Sequence, residues 1–134
     1  MQVHSRITLW LICGDVFAAL TLAVVGYLTH YAGIEPFSLR WLSTFLPFCL
    51  GWAIAAVPAG LYQAPVASRW QQAVWRAALA GILAAPFAVM LRGLYLNAAV
   101  SPVFMLVLTA TAALAMAVWR GAWSWLAARN KFYG

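Results

Sequence analysis

The chain has 134 residues, of which 66% are hydrophobic and 7% charged, against roughly 45–50% and 25% in soluble domains. Folded in water it would expose far too much apolar surface, which excludes a soluble globular domain. The net charge of +6 contains no run of Lys or Arg, and a nucleic-acid interface, which needs a clustered basic face, is excluded with it.

Four apolar stretches follow one another at residues 7–31, 41–62, 73–96 and 102–126. Each reaches the ~20 residues that an α-helix needs to cross the hydrocarbon core. Each is also apolar on all sides, as segments facing both lipid and protein are. The expected fold is all-α: one integral membrane domain over residues 1–134, built as a polytopic bundle of four transmembrane helices. The first stretch is longer than the core of a signal peptide, about 7–15 residues, and carries Asp15. It is expected to remain attached as a span.

The connections carry turn residues: Gly33 and Pro36 in the first, Pro65 and Ser68 in the second, Asn97, Ser101 and Pro102 in the third. Short connections predict that successive helices pack as antiparallel neighbours. Four spans put the N-terminus, the second connection and the C-terminus on one side, with Arg6, Arg69, Arg76, Arg120, Arg129 and Lys131. The other side has Arg40 and Arg92, with Glu35. Lys and Arg accumulate on cytoplasmic flanks, so both termini are expected in the cytoplasm and the protein in the inner membrane. Trp10, Trp70, Trp75, Trp119, Trp123 and Trp125 then form an inner aromatic belt. Tyr27, Tyr31, Trp41 and Tyr95 form an outer one, while Trp52 falls near mid-depth as a packing residue.

Asp15 is the most informative single residue. It lies nine positions after Arg6, about 13 Å further along a helix. A carboxylate at that depth faces the bundle interior or a water-filled cavity. Arg120 precedes Arg129 by nine positions and Arg76 follows Arg69 by seven, so three helices bring one anion and two cations to one layer. Asp15 is expected to pair with Arg120, Arg76 or both. This buried polar site reads in two ways: as a lock that fixes which helices are neighbours, or as a site for a proton or solute. A second polar set, at the outer rim, comprises His30, Glu35, Arg40 and Arg92. Arg92 and Glu35 are expected to form an ion pair or to meet headgroups.

Pro47, Pro58 and Pro86 are expected to break helices two and three, each removing an N–H and freeing a carbonyl. Small residues recur every fourth position, as in Gly51-Ala55-Ala59, Ala73-Ala77-Gly81-Ala85 and Thr109-Ala113-Ala117-Gly121. Such stripes let helix backbones approach closely in lipid. Cys13 and Cys49 form no CxxC and have no histidine nearby, so neither a metal nor another cofactor is expected.

Gly14-Asp15, the His30 region, Leu46-Pro47-Phe48 with Gly51-Trp52, Leu91-Arg92, and Phe104 with Trp119-Arg120 together resemble the domain of unknown function 3054 family over almost the full length. The resemblance implies a small four-helix prokaryotic membrane protein and carries no activity, cofactor or partner. The leading functional expectation, from the charge layer and the proline breaks, is a transporter- or channel-like homo-oligomer in the lipid bilayer. Its rival is a non-catalytic accessory or scaffold subunit of a larger membrane complex. An enzyme acting on lipids is the weakest reading, because no nucleophile–base pair or metal-ligand cluster accompanies the charges.

Overall fold

The computed structural model describes residues 2–31 and 38–131, with the side chains of Gln2, Val3 and Tyr31 excepted. The elements are α1 (Gln2–Tyr31), a 3-10 turn (Leu39–Trp41), α2 (Leu42–Ala56), the short α3 (Ala64–Ala67), α4 (Trp70–Leu96) and α5 (Pro102–Arg129). Among the described residues there is no strand, and four helices are long and apolar enough to cross a membrane. Local chemistry sets their ends. Ser101 caps α5 by accepting the Phe104 N–H at 3.3 Å, and Pro102 occupies the first turn, where no donor is needed. Asn97 ends α4 in the left-handed conformation, at φ 47°. Thr21, Thr29 and Thr111 face outward, and each hydroxyl donates to the carbonyl four residues back. Their polar groups are thereby satisfied on a surface otherwise made of Phe17, Leu83, Leu106 and Leu114.

α4 packs along both α2 and α5, while α1 closes the bundle more loosely against α2 and α5. The spans alternate in direction. At one end His30 of α1 meets Phe104 at the start of α5, and Arg92 near the end of α4 reaches Ser43 at the start of α2. At the other end Ser124 of α5 reaches the Ala67 carbonyl of α3. The buried face of α4 is almost entirely small: Ala73, Ala77, Ala80, Gly81, Ala84, Ala85 and Ala88. Lipid supplies no hydrophobic force between helices, so their association depends on this close approach. A Cβ on Gly81 would lie 3.0 Å from the Ala113 Cα and 3.1 Å from its N; one on Gly51 would lie 2.9 Å from the Ala84 carbonyl oxygen.

Two sequence expectations need correcting. The second helix was expected over residues 41–62, but α2 stops at Ala56; residues 57–63 form a run of turns. Pro58 therefore does not break a helix from within. It lies just past the last helical turn, whereas Pro47 and Pro86 lie inside α2 and α4. The physical reason is Gly60, whose φ of 71° reverses the chain while the Leu61 N–H returns to the Ala56 carbonyl at 3.2 Å.

At Gly81 the obstacle is backbone, which cannot step aside; at Gly121 it is the Val74 Cγ2 at 2.9 Å, which can. Gly81→Ala should cost about 1–3 kcal/mol of stability and Gly121→Ala less, measured as thermal unfolding in detergent. Equal melting of the two variants would contradict this account of the α4–α5 contact.

Candidate functional site

With the 3-10 turn before it, α2 makes a span of 18 residues, Leu39–Ala56, about 27 Å long and close to the ~30 Å hydrocarbon core. Beyond Ala56, residues 57–63 continue as irregular backbone packed against α4 and α5. Leu61 in this segment is fully buried, and so are Val66 and Ala67 in α3. Non-helical backbone at membrane depth must find partners inside the protein. Here side chains supply them. Arg76 of α4 donates to the Ala59 carbonyl at 2.7 Å, Arg120 of α5 to the Leu61 carbonyl at 2.6 Å, and Ser124 to the Ala67 carbonyl at 2.8 Å.

Arg120 is 1% exposed and Asp15 is 3% exposed, so neither charge is stabilised by water. They pair through two parallel bonds, Nε to Oδ1 at 2.9 Å and Nη2 to Oδ2 at 2.5 Å. This fork-to-carboxylate geometry is the strongest form of the interaction. Three neutral donors complete the cluster. Trp119 Nε1 donates to Oδ1 at 2.9 Å, while the Tyr62 hydroxyl and Trp52 Nε1 donate to Oδ2 at 2.6 and 3.0 Å. A carboxylate offers about four lone-pair sites, so five donors saturate it. The Arg120 guanidinium also stacks on the Tyr62 ring, 4.8 Å from its centroid. Gly14 makes room for the Trp119 donor: the indole lies where a Cβ on residue 14 would be.

Of the two arginines expected near Asp15, Arg120 is its ion-pair partner. Arg76 serves the Ala59 carbonyl instead, and its Nε is buried without a hydrogen-bond partner. At the opposite end a cavity of about 380 Å³ opens between α1 and the other helices. His30, Arg40, Trp41 and Arg92 line its mouth, and it reaches down α1 to Gly26 and Ala23. His30 packs edge-on to Phe104, and Arg92 sits over the other side of this site, 5.3 Å from the same ring's centroid. Glu35 lies outside the described residues. A smaller cavity of about 110 Å³ lies beside Asp15 on the same helix, between Ile12, Asp15, Val16 and Ala19 of α1 and Cys49, Trp52 and Tyr62 across the seam. Among the described residues, no three side chains of His, Cys, Asp and Glu gather as a metal site.

Sequence reasoning missed Trp52, Tyr62 and Trp119, assigning Trp52 to packing and Trp119 to the inner belt. A signal was available. A buried carboxylate needs more donors than one arginine provides, and in this apolar chain indole and phenol groups are the obvious supply. Trp119 adjoins Arg120, and the Pro58–Gly60 turn folds Tyr62 back beside Trp52, with Trp52 Nε1 and the Tyr62 hydroxyl 3.3 Å apart.

Asp15→Asn should leave a buried guanidinium unpaired and lower stability in detergent by about 3–5 kcal/mol. Joining it to Arg120→Met should recover part of that loss, since no charge is then stranded; a double variant no more stable than the single would contradict the pairing. Comparison with curated proteins and with solved structures returns no match. A family model described as "Protein of unknown function (DUF3054)" matches residues 12–123, a stretch that holds Asp15 and all four side chains bonded to it. The chain belongs to that family.

Proposed function

We propose that the protein is a small transporter-like membrane protein of the cytoplasmic membrane, with both termini inside, that moves a small anionic solute along the seam between α1 and α2. The observation that carries this reading is the alignment of two cavities on α1. The wider one runs from His30 to Ala23, and the narrower one from Ala19 to Ile12. Only the turn between Ala19 and Ala23, both buried, separates them. Arg40, Arg92 and His30 at the mouth favour an anion. Trp41, which lines the same cavity, carries an indole N–H with no hydrogen-bond partner among the described residues.

The saturated Asp15 cluster acts in this scheme as the closed inner gate, with residues 57–63 as its plug. Irregular backbone at membrane depth is the construction that broken-helix transporters use around their sites. In the core between α4 and its neighbours, Ala77, Ala80, Ala84 and Ala112 are closely packed. α1 has the sparsest packing of the four and is the element that moves. The orientation rests on the six cations expected on the side of the termini, against two on the other.

Protein reconstituted in liposomes should conduct or exchange at least one anion among chloride, nitrate, phosphate and acetate. Ala23→Phe, which fills the constriction, should reduce that flux to the protein-free background while the melting temperature stays near wild type. Absence of protein-dependent flux for all four anions, under gradients of either direction, would overturn the proposal. A stable membrane partner recovered on mild purification, together with that absence, would establish the accessory-subunit reading in its place.

A further inference from the structure

A second pair of cavities lies on the α2–α4 face, away from α1. One is an apolar groove of about 350 Å³ floored by Leu42, Leu46, Pro47, Leu50 and Leu91. Leu46 and Leu50 are exposed, so the groove opens to the surface that lipid covers. The other, of about 520 Å³, is lined by Arg40 and Arg92 with Leu39, Leu96 and Ala98. The two share Ser43 and Tyr95. The apolar groove therefore adjoins a pocket lined by two arginines.

Arg92 is held in place rather than loose. Its Nε donates to the Ser43 hydroxyl at 3.2 Å, and that hydroxyl in turn donates to the Arg40 carbonyl at 2.6 Å. The Phe104 ring supports its guanidinium plane. Among the described residues, its two terminal nitrogens have no hydrogen-bond partner. A fixed, two-pronged donor suits a phosphate, which it can grip through two parallel bonds. Arg40 lines the same pocket.

We infer that this face binds an anionic phospholipid, its phosphate on the Arg92 fork and one acyl chain in the Pro47 groove. A free anion would use the pocket and leave the groove empty, whereas a zwitterionic lipid would fill the groove and bring its own cation to the two arginines. Only an anionic amphiphile matches both halves. Pro47 contributes directly: the proline lines the slot, and its missing N–H loosens α2 at that point. Arg40 and Arg92 also line the cavity on α1, whereas Leu50 lies in the groove alone, so a change at Leu50 tests this site without touching the proposed solute path.

The test is native mass spectrometry of protein released from nanodiscs holding equal phosphatidylglycerol and phosphatidylcholine. Wild type should retain phosphatidylglycerol preferentially. Arg92→Gln should lose the preference, and Leu50→Trp, which fills the groove and leaves both arginines, should lose retention of bound lipid. Inorganic phosphate should not displace the lipid. Equal retention of the two lipids by wild type would overturn the inference. So would a preference that survives in both variants, or displacement by inorganic phosphate. Melting temperature serves as the folding control, and Leu50→Trp keeps the test valid should Arg92→Gln fold poorly.

Discussion

Between α2 and α3 the chain runs as irregular backbone packed inside the bundle, its carbonyls need donors, and much of this molecule is arranged around that constraint. α2 stops at Ala56, the chain turns at Gly60, and residues 57–63 lie as irregular backbone against α4 and α5. Donors to the carbonyls of Ala59 and Leu61 there come from Arg76 and Arg120, and Ser124 serves Ala67 at the end of the adjoining α3. Arg120 brings a full charge with its hydrogen bonds, and a charge at 1% exposure needs a counter-ion. Asp15 is that counter-ion. It in turn needs donors for the lone pairs that Arg120 leaves open, which Trp52, Tyr62 and Trp119 provide. Each polar residue of this cluster answers a need created by the one before it, and the series closes on itself because Tyr62 belongs to the irregular segment that began it.

This closure also explains how a loosely packed α1 stays in place. The helices α2, α4 and α5 hold together through backbone approach at Gly51, Gly81 and the alanines of α4. α1 has less of that contact, and Asp15 fastens it to α5 through Arg120 and Trp119 and to the α2 side through Trp52 and Tyr62. The fastening sits at one level of the helix. Above it, toward His30, α1 diverges far enough from its neighbours for the larger cavity to form, and Gly26 there meets nothing within 4 Å of where its Cβ would be. Tight packing and open space are thus divided along the length of one helix.

The four spans and the layer holding Asp15 and Arg120 were legible in the sequence because they follow from counting: about 20 apolar residues make a span, and 1.5 Å per residue sets depth. The end of α2 was not. Residues 57–62 are as apolar as the helix before them, and hydropathy measures affinity for lipid, not backbone conformation. Gly60 was the clue, since its role is a positive φ. The choice between Arg76 and Arg120 as the partner of Asp15 escaped for a related reason. Depth alone put both in reach, and what separates them is the Ala59 carbonyl, which exists as an acceptor only because α2 unwinds. The donor roles of Trp52 and Trp119 depend on rotation about helix axes that hydropathy leaves undefined.

Arginine is used in opposite ways at the two ends of the bundle. At the end holding Asp15, the Arg120 guanidinium is consumed by the protein itself, two nitrogens on the carboxylate and one on a carbonyl; Arg76 gives Nη1 to the Ala59 carbonyl, while its buried Nε meets no acceptor among the described residues. At the end holding His30, Arg92 is positioned by Ser43 and Phe104 through its Nε and its flat face, which leaves the hydrogen-bonding edge directed at no described residue. A guanidinium spent on internal bonds stabilises a fold; one that is immobilised and still has donors to give is suited to a ligand. On that physical ground the conspicuous buried pair, although the first feature the sequence offers, belongs to the architecture of the bundle, and the proposed ligand contacts lie at the Arg92 end.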